Sequence, residues 1–208
     1  MIIDKKKDYI IGSYMYRNFV NLSLKEKEMV LSWRNNDKIR RWMNHSEIIP
    51  LENHLRYIDT LKEREDVYYW LVCKDNEPIG VVDILDADYE KDQAETGYYL
   101  TPDLLDAGLG FEFYYYFKSF FHDYLQIGKT VGELMVGNVN SYMLITYFGG
   151  QAVEVKKREC GTFLVMETKK DEFDSIKEGA NDILKFARFF KNNKVNWTEL
   201  IMRIDHNE

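Results

Sequence analysis

The sequence predicts an α/β fold, a mixed sheet with helices on its faces, and three observations carry that prediction. Apolar residues spaced by three and four give way near Val67 to strand-like runs, and helical spacing returns after Gly110. The runs between residues 67 and 101 follow one another through tight polar connections, which makes an antiparallel meander. Helices and strands then alternate, the pattern from which layered α/β sheets are built.

Taken in order, residues 14–20 (YMYRNFV) alternate weakly and suit an edge strand. Ser23, with Glu26 three residues on, is a capping box that opens a helix with Leu24, Met29, Val30 and Trp33 as its apolar stripe. A second short helical piece carries Ile39, Trp42 and Met43; after Pro50, the spacing of Leu51, Leu55, Ile58 and Leu61 marks another. The meander comprises VYYWLVCKD, IGVVDILDAD and QAETGYYLT, with its first turn at Asp75-Asn76-Glu77-Pro78. A helix over Gly110–Leu125, a strand over Thr130–Val136 and a helix over Asn140–Phe148 follow, stopped by Gly149-Gly150. A hairpin of 151–159 and 162–168 completes seven strands. The domain therefore spans 1–168, and 169–208 form a helical C-terminal extension.

At 208 residues the chain can bury roughly 70% of its unfolded surface in one core. No run of about 18 apolar residues could span a bilayer, and MIIDKKKDYI lacks a signal peptide's apolar segment, so no membrane role and a cytoplasmic location are expected. A net charge of −7 argues against nucleic acid, whose backbone needs clustered Lys and Arg. Cys73 and Cys160 fall in strand-like segments without C-x-x-C spacing and read as buried thiols, and the four histidines are scattered, so no metal is expected.

A strand ending near Pro102, then Gly108-Leu109-Gly110, then a helix at once: this order points unpaired backbone N–H groups and the positive helix end at whatever occupies the loop. Phosphate is the usual guest, although two glycines also serve merely to turn a chain. No Lys-Ser/Thr follows, which removes a nucleotide-triphosphatase loop.

The element order, with this loop after the fourth strand and an Asn-to-Tyr helix after the fifth, resembles the GNAT superfamily of acetyl-CoA-dependent N-acetyltransferases over residues 14–168. That family's loop reads Arg/Gln-x-x-Gly-x-Gly/Ala; Leu105-Asp106-Ala107-Gly108-Leu109-Gly110 matches the glycines but has Leu105 where Arg or Gln is usual. The resemblance implies a mostly antiparallel seven-stranded sheet, acetyl-CoA as co-substrate, and this loop, with Tyr98, Tyr99 and Leu100 on the preceding strand, as its binding site. Trp33-Arg34-Asn35, Ile39-Arg40-Arg41-Trp42-Met43 and His54-Leu55-Arg56-Tyr57-Ile58 resemble the members that acetylate the 4-amino group of a UDP-linked dideoxy sugar in pseudaminic-acid biosynthesis. By that resemblance Arg34, Met43 and His54 line the nucleotide end of the acceptor site. Their structural alternatives are a helix-end arginine, a core methionine and a helix-surface histidine.

Acetyl transfer to an amine needs a held thioester, a neutral amine, a stabilised carbonyl oxygen and a proton for the thiolate. Asn140 and Tyr147, seven residues apart, lie within about 20° of one helical face and about 10 Å apart along it. Asn140 would cap the helix and hold the pantetheine arm; Tyr147 would protonate the thiolate, as the family resemblance also implies, or else pack half-buried under the hairpin. Glu95 on the fourth strand, or Asp83 on the strand before it, is the candidate base, directly or through water, the alternative being that one or both point to solvent. Direct attack on the thioester is expected, since neither cysteine has a neighbouring histidine in sequence to activate it. Two other functions stay open: the same chemistry on a protein N-terminus or polyamine, and a non-catalytic GNAT-like binding module. Phe186, Phe189, Phe190 and Trp197 further suggest a homodimer through the helical tail.

Overall fold

The computed structural model describes residues 3–105 and 107–206. Among them, eight strands form one sheet: β1 (Tyr9–Ile11), β2 (Tyr14–Asn18), β3 (Tyr68–Lys74), β4 (Glu77–Asp88), β5 (Gln93–Leu100), β6 (Lys129–Met135), β7 (Gln151–Arg158) and β8 (Gly161–Lys169). Their order is β1-β2-β3-β4-β5-β6-β8-β7. The helices are α1 (Leu24–Arg34), α2 (Asp37–Arg40), α3 (Leu51–Thr60), α4 (Gly110–Ser119), α5 (Val139–Tyr147), α6 (Lys170–Ala180), α7 (Ile183–Asn192) and α8 (Trp197–Asp205).

The sheet has one strand more than expected. Tyr9–Ile11 pairs antiparallel with β2, so the strand at Tyr14–Asn18 lies one place inside the edge. Its three residues are too few for alternation to show beside the lysine-rich start, and Gly12 makes the turn at φ +60°. The Ser23–Glu26 capping box forms as expected, with Ser23 accepting from the Glu26 N–H and Glu26 reaching back to the Ser23 N–H.

Strand alternation divides the core into two layers. Trp70, Val72, Val82 and Ile84 point to the α4 side and pack with Phe113, Phe117, Phe120 and Phe121. Leu71, Cys73 and Val81 point to the opposite side, where Val30 of α1 and Ile58 of α3 cover them. Each such side chain, fully buried, stabilises the fold by about 1.5–3 kcal/mol relative to exposure.

The feature that positions the site is the junction of β5 with β6. This parallel pairing joins only Gln93, Ala94 and Glu95 to Lys129, Thr130 and Val131. Beyond it β5 stays with β4 as far as Leu100, while β6 stays with β8 as far as Met135. The sheet therefore splits, a splay that spacing alone does not reveal.

The C-terminal helices dock on the same body. Phe173 of α6 joins the α4-side core, and Phe186 and Phe189 of α7 pack against Tyr147. Leu200 and Ile204 of α8 cover Leu134, Leu164 and Met166, with Trp197 against Tyr142. All four aromatic residues that suggested a dimer thus have partners within the chain, Phe190 packing against Phe186 of its own helix.

Candidate active site

A cavity of about 830 Å³ opens where β5 and β6 part. Alternation sorts its lining into two sides. Asp83, Glu95, Gly97, Tyr99 and Glu133 belong to the α1–α3 side, with Arg34, Met43 and His54; Tyr98, Lys118, Thr130, Asn140 and Leu144 belong to the α4–α5 side, with Leu105 and Gly110. Of the residues expected from the sequence, the cavity brings together Arg34, Met43, His54, Glu95, Tyr98, Tyr99, Leu100, Leu105, Gly110 and Asn140.

Four are placed elsewhere, and one lies outside the described residues. Ala107, Gly108 and Leu109 form the turn into α4 without lining the cavity; at Gly108, with φ +75°, an added Cβ would have no neighbour within 4 Å. Asp106 is not among the described residues. Tyr147 does not line the cavity: its hydroxyl donates to the Ala180 carbonyl at 3.1 Å, and its ring sits among Phe111, Phe148, Phe186 and Phe189. The face shared by Asn140 and Tyr147 is thus divided between the cavity and the α7 contact. The cap of α5 is also displaced by two residues, since Asn138 accepts from the Ser141 N–H at 3.3 Å, and Asn140 sits in the first turn instead. Cys160 occupies the β7–β8 turn and is exposed, whereas Cys73 is buried as expected. A turn has no sheet above it to bury a thiol.

On the α4 side the helix begins without a side-chain cap, because Leu109 at its N-cap position carries no acceptor. First-turn amides have no partner within a helix, which suits an anion. The Tyr98 ring packs on Tyr114 and Phe117 of the same helix, and burial pushes the pKa of its hydroxyl up to about 12, with the Ser141 side chain pulling the other way.

The opposite side holds the carboxylates. Asp83 is 8% exposed, and one carboxyl oxygen, Oδ1, has no partner. Burial raises its pKa to about 7, with the Gly97 amide pulling the other way. A Cβ on Gly97 would come within 2.6 Å of that oxygen, so glycine is what lets the carboxylate lie against β5. Burial, aided by Glu133, also raises Glu95. Arg34 donates through Nη2 to the His45 carbonyl at 2.7 Å, while Nη1 is buried without a partner. Desolvation lowers the Arg34 pKa, and Tyr99, Tyr69 and Asp83 oppose it. His54 bonds the Lys27 carbonyl through Nε2 at 3.0 Å, and its pKa is lowered by burial. At the rim, Asn44 donates to Glu133 at 2.7 Å, which ties the segment after α2 to β6.

Two cavity groups went unnoticed in the sequence. Lys118 is buried on α4 and donates to Thr130 Oγ1 at 2.6 Å; a lysine inside the aromatic run FYYYFKSFF was the available signal. Asn138 is the other, hidden because two asparagines two residues apart compete for one cap.

The acetyltransferase (GNAT) domain model matches residues 18–151. The chain belongs to the GNAT acetyltransferase family. Among curated proteins, acetyltransferase PseH of Campylobacter jejuni subsp. jejuni is 34% identical over 92 residues, which cover 44% of this chain and 57% of that protein. A second strain's PseH is 33% identical over the same length. The crystal structure of the C. jejuni N-acetyltransferase PseH in complex with acetyl coenzyme A has a TM-score of 0.60 at 22% identity, covering 75% of this chain and 98% of that one. Spermidine N-acetyltransferase from Vibrio cholerae, in complex with CoA and spermine, has a TM-score of 0.69 at 13% identity, covering 78% and 99%. Both structural likenesses are likenesses of fold. Among the described residues, no helix is long and apolar enough to cross a membrane.

Proposed function

We propose that this chain transfers the acetyl group of acetyl-CoA to the amino group of a UDP-linked amino sugar in the cytoplasm, by direct attack on the thioester. The observation that carries the reading is a pair of buried, unpartnered atoms, Asp83 Oδ1 and Arg34 Nη1, on one side of a split sheet whose other side begins an uncapped helix. The cofactor's pyrophosphate would meet the first-turn amides of α4, and its pantetheine arm would run along β5 past Asn140. The sugar nucleotide would enter from the α1–α3 side, with Arg34, Met43 and His54 around its nucleotide end. The curated relatives named PseH favour this acceptor class.

In the reaction the amine nitrogen bonds to the acetyl carbonyl carbon as the carbon–sulfur bond breaks. Asp83, whose pKa lies near 7, removes the amine proton, with Glu95 as the alternative base one alternate strand position from Gly97. The departing sulfur needs a proton, which a phenol can supply. Tyr147 is the donor expected from the sequence, and to serve it must leave the Ala180 carbonyl; Tyr98 lines the cavity, its buried hydroxyl beside the Ser141 side chain.

Thermal shift measurements test the reading, because a ligand that binds only the folded state raises the midpoint. Separate stabilisation by acetyl-CoA and by UDP is expected. Stabilisation by acetyl-CoA alone would favour a second reading, a cationic amine acceptor drawn to Asp83, Glu95 and Glu133; none by either would favour a non-catalytic module. A homodimer through the helical tail would use its exposed apolar residues, Ile183, Leu184 and Phe190 of α7 and Met202 of α8, and a monomer in light scattering at high concentration would remove it.

A further inference from the structure

We propose that the cavity continues past the thioester into a pocket for an acyl chain ending in a carboxylate, with the Lys118 ammonium as its counter-ion. The inference rests on the acyl-transfer reading above and adds the identity of the acyl group.

Lys118 is 3% exposed and lines the cavity. Its nitrogen lies 5.7 Å from the ring centres of Tyr114 and Phe117, and its one hydrogen bond among the described residues is to Thr130 Oγ1. None of the ion pairs among those residues includes it, although nearby Lys170 and Lys177 both pair with Asp123 and Asp174. Burial without a counter-charge pushes the Lys118 pKa down to about 7, and an anion beside it would restore the charged form. The hydroxyl-bearing side chains of Thr130 and Thr168 line the same end of the cavity.

The place of Lys118 in the fold fixes which part of the donor it meets. It lies eight residues into the chain after Gly110, about 12 Å along the helix from the uncapped end proposed for pyrophosphate. Thr130, its partner, is paired with Ala94 where β5 and β6 are still joined, so Lys118 closes the far end of the split. A chain anchored at the loop and running down the split ends against it. An acetyl methyl leaves Lys118 with only its hydrogen bond to Thr130 Oγ1, whereas a carboxylate would accept from the ammonium directly and supply its counter-charge. Bond changes are those of acetyl transfer: nitrogen joins the acyl carbonyl carbon, the carbon–sulfur bond breaks, and the amine proton is passed on so that coenzyme A leaves as thiol.

The test compares succinyl-CoA with butyryl-CoA, which match in chain length and differ at the terminal carboxylate, using acetyl-CoA as reference and a UDP-amino sugar as acceptor. The full chain is expected to use succinyl-CoA over butyryl-CoA by about tenfold or more in kcat/KM, and Lys118→Met is expected to reverse that order. Thermal shifts of the unaltered protein by the two thioesters provide a second measure should the variant fail to fold, with the larger shift expected from succinyl-CoA. Equal or better use of butyryl-CoA, or a preference that survives in Lys118→Met, overturns the inference and leaves acetyl transfer standing. Absence of transfer from all three donors overturns both.

Discussion

Asp83 and Arg34 each bury a polar atom with nothing to bond, an arrangement that costs stability unless a ligand completes it. The folded pKa of Asp83 lies near 7, against about 4 when unfolded. A carboxyl whose pKa is raised contributes stability that is fully present below pH 4 or so and is lost as pH rises through about 7. Asp83→Asn, neutral throughout, is therefore expected to melt higher than the parent at pH 8, with the difference vanishing at pH 4, while kcat falls by about 10²–10⁴-fold. Melting curves at the two pH values, with initial rates, check both halves; a variant that turns over normally would move the base to Glu95. The acid divides in the same way between two tyrosines. Tyr98→Phe is expected to lower kcat by about 10²-fold or more, and Tyr147→Phe to leave it within a fewfold, because only the Tyr98 hydroxyl lines the cavity. A collapse of saturated turnover in Tyr147→Phe alone would restore Tyr147 to the role.

At the scale of elements, α5 is a nine-residue helix whose first turn carries Asn140 into the cavity and whose last residue, Tyr147, faces α7. Asn138→Ala should cost about 1 kcal/mol in urea unfolding, the usual value of an N-cap, and raise KM for acetyl-CoA more than it lowers kcat. Cap positions show how far the sequence could be read. The Ser23–Glu26 box was legible because two residues must agree at a fixed spacing. At Asn138-Val139-Asn140 either asparagine satisfies the pattern, and only the path of the chain chooses. Strand runs placed the meander with Asp83 and Glu95 on successive strands, whereas the side they share and the parting of β5 from β6 depend on which strands lie next to each other and in what register, information that local periodicity does not carry. Lys118 was unread for a related reason: a lysine is ordinarily a surface residue, and burial is a property of the assembled core.

For the molecule as a whole, the sheet is split in the middle and held together from both ends, by the β3–β4–β5 meander with α1, α3 and α4 on one half and by β6, β8 and β7 with α8 on the other. Leu200, 7% exposed, packs α8 onto that second half, and Leu200→Ala should cost about 2–5 kcal/mol in a denaturant titration. A loss of only a few tenths would mean that the C-terminal helix is an ornament on the sheet and not part of its support. On the proposed function the split joins two substrates, a thioester on the α4–α5 side and an amino sugar nucleotide on the α1–α3 side. Mass spectrometry of products after incubation with acetyl-CoA and a panel of UDP-amino sugars tests it most directly. A sugar nucleotide heavier by one acetyl group on nitrogen, absent from reactions with Asp83→Asn, is the predicted result; acetylation of a polyamine or peptide amine in place of every sugar nucleotide offered would contradict it.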